Sequence, residues 1–419
     1  MRSVASNLVS ILRALQVDIV VSWRNILRHG RRSFAAAAAV MFGTTALILA
    51  AGFIQWIFWD MREATIHSGL GHIQIVRLGY LEHGTADPFK YLLPEDSPAK
   101  QLIGKTPHVI EVAPRLKFTG LVSFGNSTLS FLGTGLDAER EVGAKNAMII
   151  ESGEGLSATH SRGILLGQGL ANNLGARVGD TVVLLVNRRD GTLNGVEAKV
   201  RGIFSTVTKT YDDIAVQVPF ALANELLAAH GASTWVVYLD HTSNTGNAVQ
   251  ALSRRLGQAL KIIPWYEAAD FYNKTVTLFS RQVLVMKIII SLVVILSISN
   301  TMVMNVMERT SEIATTMALG LRRNRVLSRI VVEGILIGMI GGVIGLSLGY
   351  VLAAGISEIG IPMPPPPGMA RGFVGQIVLT AGLAWNALLV AGFTALVASL
   401  YPAWKASRMV IADALRQGR

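Results

Sequence analysis

The stretch "MERTSEIATTMALGLRRNRV", Met307–Val326, decides the architecture, because it is charged and helical in pattern while long apolar runs flank it on both sides. A helix needs about twenty predominantly apolar residues to cross a bilayer. Windows of that kind lie at 281–307 and 328–357 (Glu333 near the start of the latter), and two more lie at 34–59 and 372–403. Four transmembrane helices are therefore expected. Only 16% of the residues are charged, against about 25% in an ordinary soluble domain, which points the same way.

The formal charge of +11 is unevenly placed. Between Trp59 and Gln282 there are 21 Lys/Arg and 21 Asp/Glu, so that segment is neutral. Residues 1–33 hold six arginines, 307–327 hold four, 402–419 hold four Lys/Arg, and 355–376 hold Arg371 alone. Lys and Arg collect on the cytoplasmic side of short loops. The expected protein is thus a multi-pass component of a bacterial inner membrane with both termini cytoplasmic. A domain at 60–280 is exported, the connector 308–327 is cytoplasmic, and 358–371 form a short outer turn before the fourth span and a tail at 404–419. Topology accounts for the basic excess, so no nucleic-acid surface is expected. With no cysteine, a thiolate metal site and a lipid-modified N-terminal Cys are both excluded. The first span is too long for a cleaved signal and follows an arginine-bearing segment, so it reads as a retained anchor.

Residues 1–33 place Leu8, Ile11, Leu12, Leu15, Ile19, Ile26 and Leu27 at helical spacing. That is an amphipathic helix, either lying on the inner membrane surface with its arginines near lipid phosphates or capping the bundle. In the exported segment "GHIQIVRL", "TVVLLV", "VEAKVRGIF", "DIAVQVPF" and "TWVVYLD" read as strands. "GQGLANNLGA", "ALANELLAAHG" and "NAVQALSRRLGQAL" read as helices, giving a large α/β domain between the first and second spans. The glycine-rich "MIIESGEGLSATHSRGILLG" reads as a loop or subdomain boundary. The second span continues from Pro264 with no breaker, and "IPMPPPPGMARGF" makes a rigid outer turn. In the third span Gly334, Gly338 and Gly342 recur every four residues, as do Gly341, Gly345 and Gly349. Both series are small-residue faces for close helix packing within the bundle.

Candidate catalytic groups dissolve on inspection. "GKT" at Gly104–Thr106 lacks the first glycine of a phosphate-binding loop, since Ala99 stands there. His67 and His72 are five apart, a spacing that separates them on a helix or a strand, so two solvated histidines are expected rather than a metal site. Asp212–Asp213 and Glu308/Glu312 read as surface acids. Lys287 and Glu333, near span ends, read as snorkelling residues. No cofactor or metal is expected in this chain, and no polar pathway for an ion is visible.

The connector itself is a short helix. Ile313 and Met317 share one face, Glu308 and Glu312 stand early where the dipole favours anions, and Gly320 can end it ahead of Arg322, Arg323 and Arg325. It is either a plain interfacial link or a knob seated in a cytoplasmic partner. Here the sequence resembles the FtsX-like permeases, the membrane subunits of type VII ABC systems such as MacB and the lipoprotein-releasing LolC/LolE pair. "SWRNILRHGRRS" (Ser22–Ser33) is similar to their N-terminal segment. "MERTSEIATTMALGLRRNRV" looks like their coupling helix, with Ala314 for the usual glycine. "VVEGILIGMIGGVIGLSLG" (Val331–Gly349) is similar to their third span, and "YPAWKASRMVIADALR" (Tyr401–Arg416) to their tail, with Ile411 for the usual proline.

The resemblance implies a non-catalytic subunit whose ATP and Mg are bound by a separate cytoplasmic ABC ATPase dimer. Glu308, Arg309, Glu312, Ile313, Ala318, Leu319 and Gly320 would meet that ATPase, and the permease would pair with an identical or related second permease. ATP-driven closure would then move the exported domains by mechanotransmission. No ATPase domain is fused within these residues, and "GHIQIVRLGYLE" (Gly71–Glu82) looks more like the lipoprotein-releasing members. Phe53, Ile54, Trp56, Ile57 and Trp59 would then contact acyl chains, or serve as an interfacial belt among membrane lipids. The implied partner is a periplasmic carrier or a lipoprotein. Two readings stay open beside this one: MacB-like export of a peptide, toxin or drug with a periplasmic adaptor, and FtsX-like regulation of a cell-wall hydrolase.

Overall fold

The computed structural model describes residues 16–410 apart from 29, 85–86, 142–147, 158–159, 207 and 365–371. Residues 1–15, the prolines at 365–367 and the tail from 411 onward, which carried several of the expectations above, lie outside the described residues. The main helices, in chain order, are α1 (residues 16–28), α2 (Gly30–Thr65), α3 (Pro98–Gly104), α4 (Gln168–Leu174), α5 (Phe220–Leu227), α6 (Thr245–Arg255), α7 (Asp270–Glu308), α8 (Thr310–Ala318), α9 (Arg323–Ile359) and α10 (Ala381–Ser407). Two compact units result. One comprises Met1–Phe58, Val276–Ile361 and Val374–Arg419, and the other comprises Trp59–Thr275 and Pro362–Phe373.

Among the described residues α2, α7, α9 and α10 are the four helices long and apolar enough to span a bilayer. α2 and α7 outrun the expected spans, whereas α10 begins at Ala381 rather than 372. The reason is local: Thr380 caps the helix, its hydroxyl accepting from the Leu383 N–H at 3.3 Å. α9 is the centre of the bundle. A Cβ on Gly338 would lie 2.3 Å from that of Ala395, and one on Gly334 2.6 Å from that of Ser399, so this edge meets α10. Gly341 and Gly345 instead face the backbone oxygens of Ala37 and Met41, at 2.5 Å each from where a Cβ would be, and Gly349 faces Ile48, so the second edge meets α2. Side chains at these positions would push the helix backbones apart. α7 is different. Val294, Ile298 and Met302 are buried, but Val285, Ile288, Ile289, Leu292, Val293 and Leu296 are exposed.

The second unit is built on ten strands: β1 (Ile73–Arg77), β2 (Val109–Phe124), β3 (Ser127–Leu136), β4 (Ile149–Gly153), β5 (Gly163–Gly167), β6 (Thr181–Asn187), β7 (Leu193–Ser205), β8 (Ala215–Pro219), β9 (Thr234–Leu239) and β10 (Leu260–Pro264). They run in the order β10-β1-β9-β2-β3-β8-β5-β7-β4. β6 pairs with both β2 and β7, closing β2-β3-β8-β5-β7-β6 into a ring. β6 alternates, with Val182, Leu184 and Val186 inward, as a strand covered on one face must. β5 and β9 are buried at every residue, which suits their continuous apolar sequence. The glycine-rich stretch is therefore no boundary, since it supplies β4 on one edge and β5 inside the ring. A second difference lies after Pro264, where one short turn (Trp265–Ala268) and a break at Ala269 precede α7.

Candidate functional site

α8 is set off from α7 by Arg309 alone (φ −98°, ψ 14°) and is stopped by Gly320, whose φ of +100° is open to glycine and whose N–H reaches the Met317 carbonyl at 3.0 Å. On its inner face Ala314 is buried, and Met317, with Ile313 beside it, packs on Val306, Val326, Ile330, Ala403 and Ala406. The outer face carries Glu312, Thr315, Thr316, Ala318, Leu319 and Gly320, and Leu319 is 83% exposed. The residues expected to meet an ATPase thus divide. Glu308, Ala318, Leu319 and Gly320 face outward, Arg309 and Ile313 turn toward the bundle, and Glu312 sits at the edge, exposed but reaching Arg309 and the space behind α8.

Arg309 is an internal strut. Its Nη1 lies 3.4 Å from Glu333 Oε2 and its Nε 3.4 Å from Glu312 Oε2. The Asn25 side-chain oxygen, with the amide oriented to suit, accepts from Nη2 at 2.9 Å. Glu333 is 4% exposed, so it does not snorkel; it is buried and paired. α1 is packed on the start of α9, the second of the two arrangements expected of it. Asp18 is buried, accepting from Ser328 Oγ at 3.0 Å and Arg329 Nε at 3.1 Å, and Ser22 Oγ donates to the Arg329 carbonyl at 3.1 Å. Val17, Val20, Trp23 and Leu27 remain exposed, the apolar face that an interfacial helix lays on lipid.

The expected acyl-contact residues form no single open surface. Trp56 is buried, Phe53, Ile54 and Ile57 are half-buried, and Trp59 is exposed. The Phe53 ring occupies the space left by the missing side chain of Gly375. Open apolar surface lies instead on α7, beside a groove of about 550 Å³ shared with α10 and walled by Ile288, Leu292, Ile295, Leu389 and Phe393. Lys287 Nζ donates across that groove to Asn386 Oδ1 at 3.3 Å. Sequence reading missed the face because a helix side awaiting lipid or a partner is as apolar as one facing its own bundle. The pair Lys287 and Asn386 was the available signal.

A second cluster sits where α2 ends, within the other unit. His67 and His72 are not separately solvated: their rings stack edge to face at 5.9 Å and His72 is buried. The Leu239 N–H donates to His72 Nδ1 at 3.2 Å, leaving Nε2–H to face Thr242 Oγ1 at 3.2 Å. Thr242 in turn donates to the Glu63 carboxylate at 3.2 Å. Burial, and then the neighbouring His67, pull the His72 pKa from 6.5 down to about 4, so the ring is neutral at pH 7. Nearby, buried Arg115 on β2 binds Glu141 through two contacts (2.5 and 2.7 Å), donates to Tyr238 Oη at 2.8 Å, and donates to the Gly69 carbonyl in the unwound turn after α2. Tyr238 completes the set by donating to Glu141 at 2.6 Å. Burial works against the guanidinium charge, but Glu141 and Tyr238 with their neighbours together outweigh it and the Arg115 pKa is raised. Ile66, Leu70, Trp265, Ala269 and Tyr272 pack beside this cluster, bringing the end of α2 against the start of α7. Asp212, expected at the surface, is also buried. Its carboxylate accepts from the Thr206 N–H (3.0 and 2.9 Å) and hydroxyl (2.7 Å), and burial pushes its pKa up.

Four apolar helices, a short connector with a projecting leucine and a large inserted domain define a membrane permease. Residues 33–255 match the MacB-like periplasmic core domain, and residues 284–411 match the C-terminal part of the FtsX-like permeases. The chain belongs to this family of ABC transporter permeases. It is 25% identical over 332 residues to the lipoprotein-releasing system transmembrane protein LolE of Haemophilus influenzae, covering 74% of this chain and 78% of that one. It is 23% identical over 418 residues to the macrolide export ATP-binding/permease protein MacB of Burkholderia cenocepacia, covering 94% of this chain and 57% of the relative. An uncharacterized ABC transporter permease of Methanocaldococcus jannaschii is 24% identical over 293 residues, 66% of this chain and 68% of its own.

Proposed function

We propose that the chain couples ATP hydrolysis in a separate cytoplasmic ATPase dimer to movement of its periplasmic domain, and that this movement releases lipoproteins or lipids from the inner membrane. The observation that carries the coupling is α8, anchored inward through Ala314 and Met317 while Leu319 projects freely. The basic segments 1–33, 307–327 and 402–419 favour a cytoplasmic position for α8 and both termini. Lipid handling is favoured by the apolar groove between α7 and α10 and by the bare face of α7, which would also receive a second permease. A second reading, export of a peptide, toxin or drug with a periplasmic adaptor, is favoured by the alignment to a macrolide exporter over 94% of the chain.

Purification of the tagged chain from its native host in mild detergent tests the coupling. An ATPase of roughly one domain's size is expected to accompany the wild type and to be lost with Leu319→Asp. If none accompanies the wild type in any of several detergents, the coupling reading fails. The other proteins that co-purify separate the two cargo readings: a lipoprotein or its carrier for the first, an adaptor for the second.

A further inference from the structure

Behind α8, α1, α7 and α9 help to enclose a cavity of about 180 Å³. Arg309, Glu333, Glu312 and Arg329 line it, so its charges balance. Met302 and Asn305 of α7 line it too. Asn305 is 5% exposed, and neither end of its amide meets a hydrogen-bonding group of the protein among the described residues. Turning the amide over does not help, since both ends lack a partner. A buried amide left in that condition keeps the cost of its lost hydration uncompensated.

The chemistry of the walls selects the occupant. Two carboxylates oppose an anion, two guanidiniums oppose a cation, and an apolar group would leave Asn305 and Glu333 unmatched. A neutral ligand that both donates and accepts fits, and at about 30 Å³ each the space holds several waters. We infer that this cavity binds an ordered water cluster joining Asn305 to the Arg309–Glu333 pair, and that Asn305 is a positioning residue for α8. Waters exchange hydrogen bonds at small cost. The long Arg309–Glu333 contact can therefore lengthen or shorten as α8 shifts, without either charge being stranded. The functional half of this inference rests on the proposed docking of an ATPase on α8; the hydration half does not.

X-ray radiolytic footprinting of the full-length chain with its co-purified ATPase tests both halves. Hydroxyl radicals form from bound water, so Met302, only 1% exposed, should be oxidised faster than Met317, which is 8% exposed and does not line the cavity. Met302 labelling no faster than Met317 in the wild type overturns the inference without recourse to any variant. In Asn305→Leu the Met302 labelling should be lost, while the ATPase still co-purifies but its stimulation by cargo or lipid is lost. Asn305→Ser, which keeps a polar group and room for water, should retain both. Undiminished Met302 labelling in Asn305→Leu, or unchanged stimulation, contradicts the proposal. Absence of the ATPase from the wild type would contradict the docking reading and leave the Met302 result to stand by itself.

Discussion

Among the described residues two arginine–glutamate pairs have a buried carboxylate, one with a buried arginine and one with a half-buried arginine, and they are built in opposite ways. Arg115 and Glu141 meet through two short contacts, share Tyr238, and hold the Gly69 carbonyl at the end of α2. Arg309 and Glu333 meet through a single 3.4 Å contact at the edge of a cavity, with the unpartnered Asn305 close by. Buried charges are tolerable when their remaining hydrogen bonds are met inside the protein. The first pair meets that condition with protein atoms and is rigid. The second is met only in part, which suits a joint that must move. Under the proposed coupling, this contrast would make the pair on β2 a clamp and the pair beside the connector a joint with play.

The largest predicted effect breaks the clamp. Arg115→Met strands the Glu141 charge and should destabilise the periplasmic domain by about 3–5 kcal/mol, read as lost hydrogen-exchange protection along β2 and β9 in the full chain. Arg115→Met combined with Glu141→Leu should recover much of that loss. Next comes the packing that the clamp and the joint do not share. Gly338→Leu forces α9 away from α10 and should cost about 1–3 kcal/mol in thermal unfolding of the purified protein. Gly392→Ala, where a Cβ meets nothing within 4 Å, should not destabilise. Opening the joint should cost less than breaking the clamp. Arg309→Met is expected to lose about 1 kcal/mol, in the range of solvated ion pairs, and a loss equal to that of Arg115→Met would erase the contrast. The smallest effect is a pH slope. Because the folded His72 pKa is depressed to about 4 from 6.5, the unfolded chain binds more protons between those values. Stability is therefore intact above pH 6.5 and falls as the pH drops toward 4. His72→Gln should flatten unfolding profiles across that window.

How far the sequence foretold these features depended on the range of the interactions. The four-residue spacing of Gly334, Gly338 and Gly342, and the shift of Gly341, Gly345 and Gly349 onto a second edge, are local facts of one helix. Continuous apolar runs marked β6 and β9. The β2–β3 hairpin escaped because Glu111, Pro114, Arg115 and Lys117 interrupt its apolar pattern, and the interruption at Arg115 is the clamp itself. Asp212 and His72 looked like surface residues because their partners, the Thr206 backbone and Thr242, are set by tertiary folding. Glu333 pairs across 24 positions with Arg309, and no periodicity reports such a contact. The outward face of α8 was legible in part. The inward turn of Arg309 was not, since it depends on α1 and α9 together.

The central claim is that ATP acts on the connector while the clamp at the end of α2 stays shut. Hydrogen exchange on the complete permease–ATPase assembly, with and without a non-hydrolysable ATP analogue, addresses it directly. Protection should change across residues 305–321 and stay constant at the amides of Lys117 and Ser233, which flank Arg115 in the sheet. If 305–321 do not respond while the amides around Arg115 do, the assignment of clamp and joint is reversed and the account fails.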